Sequence, residues 1–293
     1  MRVLVTGSTG LIGTELCRAL AVSHEVIEVS RHSDPPVNLL EPEDVETLVR
    51  TVKPHVIIHL AAFTDVSAAF DQTGDAEGEC YQLNVSVTSR LAKVSSDVGA
   101  HFLHVSTDFV FAGRDDVLLN EQSECEPIEW YGETKLQAEQ CVREYADSWT
   151  IARIAFPVAM DEGRRPDFLS HLRTRLKSGA EVKLFDDQTI TPTAISDIVV
   201  GLEVLSRVKP KGEIYHLTGD ESYSPYELGI LVAECEGVER SLVQASSLLD
   251  YLKVDPRPRQ RFLRLDNRKW KSLCEEECLS TPISAETLIK KYK

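Results

Sequence analysis

The amino-acid sequence predicts an α/β protein with a doubly wound parallel (Rossmann) sheet and a smaller, mixed C-terminal domain. Apolar, strand-like runs alternate five times with helical stretches up to about residue 155. A glycine-rich turn directly follows the first of these strands, and beyond residue 155 the alternation breaks into loops, helices and one further strand. Regular strand–helix alternation is typical of parallel sheets that carry helices on both faces.

The overall composition narrows the class of protein. The chain has 293 residues, of which 42% are hydrophobic and 27% charged, as in ordinary globular proteins. Its net charge of −15 argues against nucleic-acid binding and against an anionic membrane surface. We see no leader segment and no apolar run of the ~18 residues that a membrane span needs. Seven cysteines without a C-x-x-C pair favour reduced thiols in the cytoplasm, and no pattern indicates a metal site.

The first strand, Arg2 to Thr6, leads into the glycine-rich turn G-S-T-G-L-I-G, and a helix is predicted from Leu11 to Val22. The glycines permit a tight turn, a close approach of a pyrophosphate to the backbone, and close packing of helix on strand. The helix N-terminus adds free N–H groups and partial positive charge. We therefore expect a dinucleotide site, with these cofactor-binding residues: Gly7, Gly10, Leu11, Ile12 and Gly13.

Arg31 follows the second predicted strand, Glu25 to Val29. An acidic residue at this place would accept the ribose 2′-hydroxyl of NAD, whereas an arginine can pair with the 2′-phosphate of NADP. We therefore expect NADPH as the cofactor, with NADH as the alternative.

The next elements continue the pattern. A helix is predicted from Glu41 to Val52, a third strand from His55 to Leu60, and a long helix from Tyr81 to Val98. Small residues after the third strand leave room for a flat cofactor across the sheet edge. We assign this further set of residues to the cofactor site: Asn38, Leu39, Ala61, Ala62, Phe63 and Asn84.

Tyr131 and Lys135 are four residues apart on a helix predicted from Tyr131 to Tyr145, which places them on one face. A lysine ammonium beside the phenol would lower its pKa from the usual ~10 and suit it to acid–base work. The fourth strand, His101 to Val105, delivers Thr107, whose hydroxyl could bind the same carbonyl oxygen. Because Gly7, Ala61 and Thr107 all follow strands of one parallel sheet, we expect them at one edge.

The second half of the chain is predicted to be a smaller substrate-binding domain. A fifth strand covers Thr150 to Ile154, and one later strand, Glu213 to Leu217, is expected to complete the sheet. We therefore assign 1–155, with about 195–218, to the dinucleotide-binding domain, and 156–194 with 219–293 to the smaller one. Other predicted elements include a loop around Gly163 to Pro166 and helices at Asp167–Lys177, Ile195–Ser206, Pro225–Glu236 and Ser284–Tyr292. The basic loop with Arg257, Arg259 and Arg261 is a candidate diphosphate site, with a solubilising surface loop as the alternative.

Together these motifs resemble the extended short-chain dehydrogenase/reductase family, and most closely its dTDP-4-dehydrorhamnose reductase-like branch. The matching strings are V-T-G-S-T-G-L-I-G, H-L-A-A-F-T, S-T-D-F-V-F, Y-G-E-T-K-L, D-Q-x-x-x-P-T and Arg257-Pro258, together with Asn84. The resemblance implies an NADPH-dependent reductase of a nucleotide-linked 4-keto sugar with hydride delivered to C4. It implies a catalytic set of Thr107, Tyr131 and Lys135, with Lys135 also holding the nicotinamide ribose. Thr107, Asp108, Phe156 and Arg257 are the expected substrate-binding residues.

Two alternatives stay open at this point. One is a dinucleotide-binding regulatory subunit similar to that of methionine adenosyltransferase, and the weaker one is an NAD-dependent nucleotide-sugar epimerase. The loop from Thr64 to Phe70 carries a single charge, Asp65, where related reductases carry acidic and basic residues. The expected partner is a nucleotide sugar, without nucleic acid or membrane, and a homodimer is left open.

Overall fold

The computed structural model describes residues 1–159, 167–279, 282 and 285–290. Its strands are β1 (Arg2–Thr6), β2 (Glu25–Val29), β3 (Val56–His59), β4 (His101–Thr107), β5 (Leu118–Leu119), β6 (Trp149–Ile154), β7 (Pro157–Val158), β8 (Val182–Phe185), β9 (Thr193–Ala194), β10 (Glu213–Leu217), β11 (Val243–Ser246) and β12 (Arg264–Leu265). Its α-helices are α1 (Leu11–Leu20), α2 (Pro42–Val52), α3 (Val66–Phe70), α4 (Glu79–Tyr81), α5 (Val87–Val98), α6 (Trp130–Tyr145), α7 (Phe168–Lys177), α8 (Ile195–Val208), α9 (Pro225–Glu236), α10 (Leu248–Tyr251), α11 (Arg268–Glu276) and α12 (Ala285–Lys290).

Six strands form the central sheet in the order β10-β6-β4-β3-β1-β2. The pairs β1–β2, β1–β3 and β3–β4 are parallel, and the chain crosses from one strand to the next through helices. The register sets Thr6 opposite His59, and His59 opposite His104. The predicted fold class, a doubly wound parallel α/β sheet, is confirmed.

The chain divides into two compact units. Unit 1 comprises Met1–Val110, Cys125–Arg153 and Val199–Tyr215, and unit 2 comprises Phe111–Glu124, Ile154–Ile198 and His216–Lys293. The functional assignment of the two predicted domains and their boundaries stays a prediction.

Unit 1 is built around the sheet. Apolar side chains of the strands, among them Leu4, Ile57, Phe102 and Ile151, pack with Leu91 of α5 in one buried cluster. β3 and β4 are buried along their whole length, as expected of strands that are covered on both faces of a parallel sheet. This packing fixes the carboxyl ends of neighbouring strands at one edge of the sheet.

Unit 2 has its own apolar core and short parallel strand pairs. Leu169, Leu172, Val232, Val243 and Ile289 belong to one buried cluster. The strand pairs are β11–β8, β12–β5 and β7–β9, and several of these strands have only two residues.

Several predicted bounds differ from the structure. Helix α1 ends at Leu20 rather than Val22, and β4 runs on through Thr107. The helix predicted from Tyr81 to Val98 is α4, a π-helical turn at Gln82–Ser86, and α5. The predicted loop residues at 163–166 and the ends of the last predicted helix lie outside the described residues. In the part of the chain that the structure describes, no helix is long and apolar enough to cross a membrane.

Candidate active site

The glycine-rich turn after β1 is held against the residues that follow β3. Gly7 has a left-handed φ of +69°, and a Cβ atom there would lie 2.8 Å from the backbone nitrogen of Ala61. A Cβ atom at Gly13 would lie 2.2 Å from the carbonyl oxygen of Gly7. Only glycine suits both positions, so the turn can be this tight only with these residues. A Cβ atom at Gly10 would lie 3.1 Å from the same oxygen, so the absence of side chains keeps this surface low.

The N-terminus of α1 adjoins this turn and is open to a ligand. Gly10 is its N-cap, and among the described residues no side chain makes a capping hydrogen bond there. The first N–H groups of a helix have no partner within the helix, and the helix dipole gives them partial positive charge. Leu11, Ile12 and Gly13 form this first turn. A bare, glycine-lined helix N-terminus fits the pyrophosphate of a dinucleotide.

The segment after β3 is fixed by buried polar side chains. The N–H group of Ala61 donates to Thr6 Oγ1 over 3.2 Å. The N–H group of Phe63 donates to Asn84 Oδ1 over 2.8 Å, and Asn84 Nδ2 donates to Thr134 Oγ1 over 2.9 Å. Asn84 lies in the π-helical turn, a feature that is frequent at functional sites. Asn84 therefore positions the backbone of Phe63, a role that its sequence motif does not reveal.

The three residues predicted near the cofactor ribose differ in their exposure and in their contacts. Arg31 follows β2 with 69% of its side chain exposed, and its Nη1 atom lies 3.8 Å from Glu79 Oε1. Asn38 Oδ1 accepts a hydrogen bond from the Leu40 N–H group over 3.2 Å. The side chain of Leu39 belongs to the buried core of unit 1, so only its backbone is open to a role in ligand binding.

Thr107 and Asp108 lie at the carboxyl end of β4, and both are buried. Thr107 Oγ1 donates to Asp108 Oδ1 over 3.0 Å and accepts from the N–H group of Phe109 over 3.3 Å. Burial raises the pKa of Asp108 to about 7, although the hydrogen bond from Thr107 opposes this rise. The carboxyl group of Asp108 therefore changes charge near neutral pH.

Tyr131 is held in the first turn of α6. Glu129 is the N-cap, and its carboxylate accepts hydrogen bonds from the N–H groups of Tyr131 and Gly132. A Cβ atom at Gly132 would lie 2.2 Å from the carbonyl oxygen of Phe109. The ring of Phe109 packs edge-on against Tyr131 at 5.7 Å. Glu129 and Gly132 thus bring Tyr131 to the end of β4. Glutamate is not among the residues preferred at a helix N-cap, so the sequence carries no signal for this role of Glu129.

The environment of Tyr131 differs from the one that we predicted. Burial raises the pKa of its phenol well above the usual range, and a hydrogen bond with Thr107 opposes this only in part. The expected lowering by Lys135 is not found. The Lys135 Nζ atom donates instead to the carbonyl oxygen of Val105 over 2.8 Å and lies 3.3 Å from His104 Nε2. Burial of the lysine lowers its own pKa to about 8.

The two predicted substrate residues outside unit 1 lie in unit 2. Phe156 has a left-handed φ of +38°, and its ring packs against Phe168 at 5.3 Å. A bulky residue seldom adopts this conformation, which is a recurrent sign of a functional segment. The backbone N–H group of Arg257 donates to Asp255 Oδ1 over 3.0 Å.

The other two arginines of the basic loop have structural contacts. Arg259 pairs with Asp255 at 3.2 Å and stacks over Tyr251, and Arg261 Nε donates to the carbonyl oxygen of Asp187 over 3.0 Å. The pairing of Arg259 with an acid favours the alternative, a surface loop, for this residue, whereas Arg261 binds a backbone carbonyl.

The D-Q-x-x-x-P-T motif also stabilises this part of unit 2. Asp187 accepts hydrogen bonds from the N–H groups of Leu248 and Leu249 and from the Ser247 hydroxyl. Gln188 Nε2 donates to the carbonyl oxygen of Gln260 over 2.9 Å. The motif thus joins Asp187 and Gln188 to two stretches of unit 2 that lie about 60 to 70 residues further along the chain.

Known proteins are similar to this chain over nearly their whole length. Residues 1–290 match the family described as "RmlD substrate binding domain". The dTDP-4-dehydrorhamnose reductase of Escherichia coli K12 is 30% identical over 279 residues, which cover 92% of this chain and 91% of that protein. A probable low-salt glycan biosynthesis reductase of Haloferax volcanii is 28% identical over 295 residues, or 97% of each chain.

Solved structures agree with this relationship. A dTDP-4-dehydrorhamnose reductase from Clostridium acetobutylicum superimposes with a TM-score of 0.86 at 25% identity, covering 100% of this chain and 98% of that one. The fold is also shared with the Bacillus anthracis dTDP-4-dehydrorhamnose reductase crystallised with NADP, at a TM-score of 0.84, 23% identity, and coverage of 99% and 98%. The chain therefore belongs to the RmlD substrate binding domain family, as its motifs implied.

Proposed function

We propose that this protein is an NADPH-dependent reductase of a nucleotide-linked 4-keto sugar, in the manner of dTDP-4-dehydrorhamnose reductase. The observation that carries the proposal is that Thr107, Tyr131 and Lys135 lie together at the carboxyl end of β4. The glycine turn follows β1, which is a strand of the same sheet. The names of the relatives supply the substrate class. An exposed arginine at the end of β2 favours NADPH over NADH.

The cofactor would be held by the glycine turn, the first turn of α1 and the segment after β3. Gly7, Gly10 and Gly13 keep the surface free of side chains, and the N–H groups of α1 would bind the diphosphate. Arg31 would pair with the 2′-phosphate, and Lys135 would hold the nicotinamide ribose. When bound, NADPH supplies the hydride for C4 of the sugar.

The protein's own side chains supply the proton and stabilise the oxygen that receives it. The raised pKa of Tyr131 keeps its phenol protonated at neutral pH, which is the state that a proton donor needs. Its Oη atom would give the proton to the sugar oxygen as negative charge develops there. The Thr107 hydroxyl, which donates to Asp108 in the structure, would turn to donate a hydrogen bond to the same oxygen.

Asp108, Phe156 and Arg257 are the side chains assigned to the substrate's other groups. We propose that Asp108 accepts a hydrogen bond from a sugar hydroxyl, because its carboxylate lies beside Thr107. Phe156 and Arg257 are proposed to contact the nucleotide and its diphosphate. The strained backbone of Phe156 supports this assignment, and the planar guanidinium of Arg257 suits a diphosphate.

The proposed function is tested by supplying purified protein with NADPH and a panel of nucleotide-linked 4-keto sugars, including dTDP-4-dehydrorhamnose. We expect steady oxidation of NADPH, measured by nicotinamide absorbance, with at least one member and a reduced sugar as product. Binding of NADPH without turnover on the whole panel would contradict the proposal and would favour the regulatory-subunit alternative. The relatives found do not favour that alternative or the epimerase.

We further propose a cytoplasmic location, because the seven cysteines are free thiols.

A further inference from the structure

Lys135 is buried with 2% exposure, and its ammonium group has an unusual neighbour. Besides the carbonyl oxygen of Val105, the Nζ atom lies within hydrogen-bond distance of His104 Nε2, at 3.3 Å. His104 is fully buried in β4, and its Nδ1 atom has no partner among the residues that the structure describes. The protonation state of this imidazole therefore decides whether it attracts or repels the lysine.

His104 is held in a fixed place by the strand beside it. It lies opposite His59 in the β3–β4 register, with the ring centroids 5.5 Å apart. His59 cannot turn freely, because Nδ1 bonds to Thr6 Oγ1 over 2.7 Å and Nε2 to Thr88 Oγ1 over 3.0 Å. The ring of His104 therefore packs against a neighbour that two hydrogen bonds hold in place.

The surroundings of His104 and Lys135 keep the imidazole of His104 neutral. Burial and the charge of Lys135 hold the pKa of His104 well below its usual range, and burial likewise lowers the pKa of His59 to about 3. Glu139 on α6 and Cys80 on α4 also face the lysine, and negative charge on either favours the ammonium form. At neutral pH a charged lysine thus meets a neutral ring.

We propose that His104 is a positioning residue, whose neutral imidazole accepts a hydrogen bond from Lys135 at Nε2 and holds the ammonium where it would bind the nicotinamide ribose. The Nε2 lone pair accepts, so the ring proton lies on Nδ1. Its importance for turnover rests on the proposed function, whereas the contact itself does not.

Nitrogen NMR of the cofactor-free protein tests the contact directly. With ¹⁵N-labelled histidine, we expect His104 to be the Nδ1–H tautomer, with an unprotonated Nε2. An Nε2–H tautomer would overturn the proposal. This measurement requires no substitution, so a variant that fails to fold does not affect it.

Three variants separate positioning from stability. His104→Leu removes the acceptor, His104→Gln keeps an acceptor near the Nε2 position, and His101→Leu is the matched control. His101 is a buried histidine of the same strand that bonds instead to Ser148 and Thr150, and by strand alternation it faces the other side of the sheet. For each variant the pKa of Lys135 is measured by NMR on ¹³C-labelled lysine, and kcat/KM is measured against pH.

Loss of an acceptor weakens the ammonium form, so in His104→Leu we expect the proton affinity of Lys135 to fall on the order of tenfold. The alkaline limb of kcat/KM should move to lower pH by about one unit, since one unit is tenfold in proton affinity. His104→Gln should restore both values, and His101→Leu should leave both unchanged. An unchanged lysine titration in His104→Leu, or no rescue by glutamine, would overturn the proposal. If no 4-keto sugar is reduced, the function fails while the lysine titration still decides the role of His104.

Discussion

Tyr131 carries the largest expected effect of any single side chain. Its side chain is half-buried and edge-packed by Phe109, so Tyr131→Phe removes only the hydroxyl and leaves the packing in place. We expect turnover to fall by roughly 10²–10⁴ with little change in NADPH affinity, measured by steady-state kinetics and by fluorescence titration. Tyr145→Phe, at the other end of α6, is the matched control and should keep full activity. Near-normal turnover of Tyr131→Phe would remove Tyr131 from the mechanism.

Arg31 is expected to distinguish the two nicotinamide cofactors. Only NADPH carries the 2′-phosphate, and a charge-assisted contact contributes roughly 1.5–3 kcal/mol, or about tenfold to a hundredfold in affinity. Arg31→Ala should therefore weaken NADPH by this factor and leave NADH nearly unchanged, as measured by isothermal titration. Glu79→Gln is a useful companion, because it removes the carboxylate that faces Arg31 and should tighten NADPH binding. Equal losses for both cofactors would show that Arg31 does not recognise the 2′ position.

Asp108 should make stability depend on pH. Its pKa is raised from 3.8 to about 7, so between these values the folded protein holds a proton that the unfolded chain has lost. The contribution is thus fully present below about pH 4 and is lost as the pH rises to 7. It amounts to at most roughly 4 kcal/mol, at 1.36 kcal/mol per pKa unit.

The test compares wild type with Asp108→Asn by urea unfolding from pH 4 to pH 8. Asparagine resembles the protonated acid and can still accept from Thr107, so the variant should gain stability relative to wild type as the pH rises. A difference that stays constant across this range would show that Asp108 does not titrate as the structure indicates.

At the scale of helices and strands, Gly132 fixes the approach of α6 to the end of β4. A methyl group there would collide with the carbonyl oxygen of Phe109, so Gly132→Ala has to move the helix or the loop. We expect a loss of roughly 1–3 kcal/mol of unfolding free energy, as for overpacked sites, together with reduced kcat. Gln140→Ala, at an exposed position of the same helix, is the control for helix propensity and should change neither. Unchanged stability and activity in Gly132→Ala would contradict this account of the helix position.

The elements that the sequence predicts well are the long ones with strong apolar patterns. The strands of the parallel sheet and the helices α2, α6 and α9 differ by one or two residues at most from their predicted bounds. The strands of unit 2 are two to four residues long, which is too short for a periodic signal, and β8, β11 and β12 had no prediction. The π-helical turn at Asn84 depends on contacts with Phe63 and Thr134, which lie far from it in the chain.

The candidate site shows the same division. The sequence motifs predicted that Thr107, Tyr131 and Lys135 form one set, because strand ends and helical spacing can be recognised from local sequence patterns. The direction of the Tyr131 pKa shift was wrong, because burial depends on the whole fold and the sequence alone does not give it. The bond from Lys135 to the carbonyl of Val105 likewise depends on the packing of α6 against β4.

The charge of the whole molecule bears on substrate binding. A net charge of −15 repels a nucleotide-sugar anion at long range, so local cations have to supply the attraction. We expect Arg257→Ala to raise the substrate KM by about tenfold or more and to leave NADPH binding intact. Added salt should weaken substrate binding more in the wild type than in the variant, because the long-range repulsion is common to both and cancels in the ratio. Lys253→Ala, at an exposed position of the same region, controls for the loss of one positive charge. An unchanged KM and an unchanged salt dependence would mean that the diphosphate is bound elsewhere.

The chain order of unit 1 has a consequence for synthesis of the protein. The unit consists of three separate stretches, and the central sheet includes β10. This strand is translated only after two stretches of unit 2, Phe111–Glu124 and Ile154–Ile198. A nascent chain on the ribosome cannot complete the sheet until residue 217 has left the exit tunnel. Until then the edge of β6 that β10 covers has unpaired backbone groups, which is a known cause of aggregation. Expression of residues 1–155 alone would leave the same edge open, so a soluble fragment of the cofactor half has to carry the β10 sequence as well.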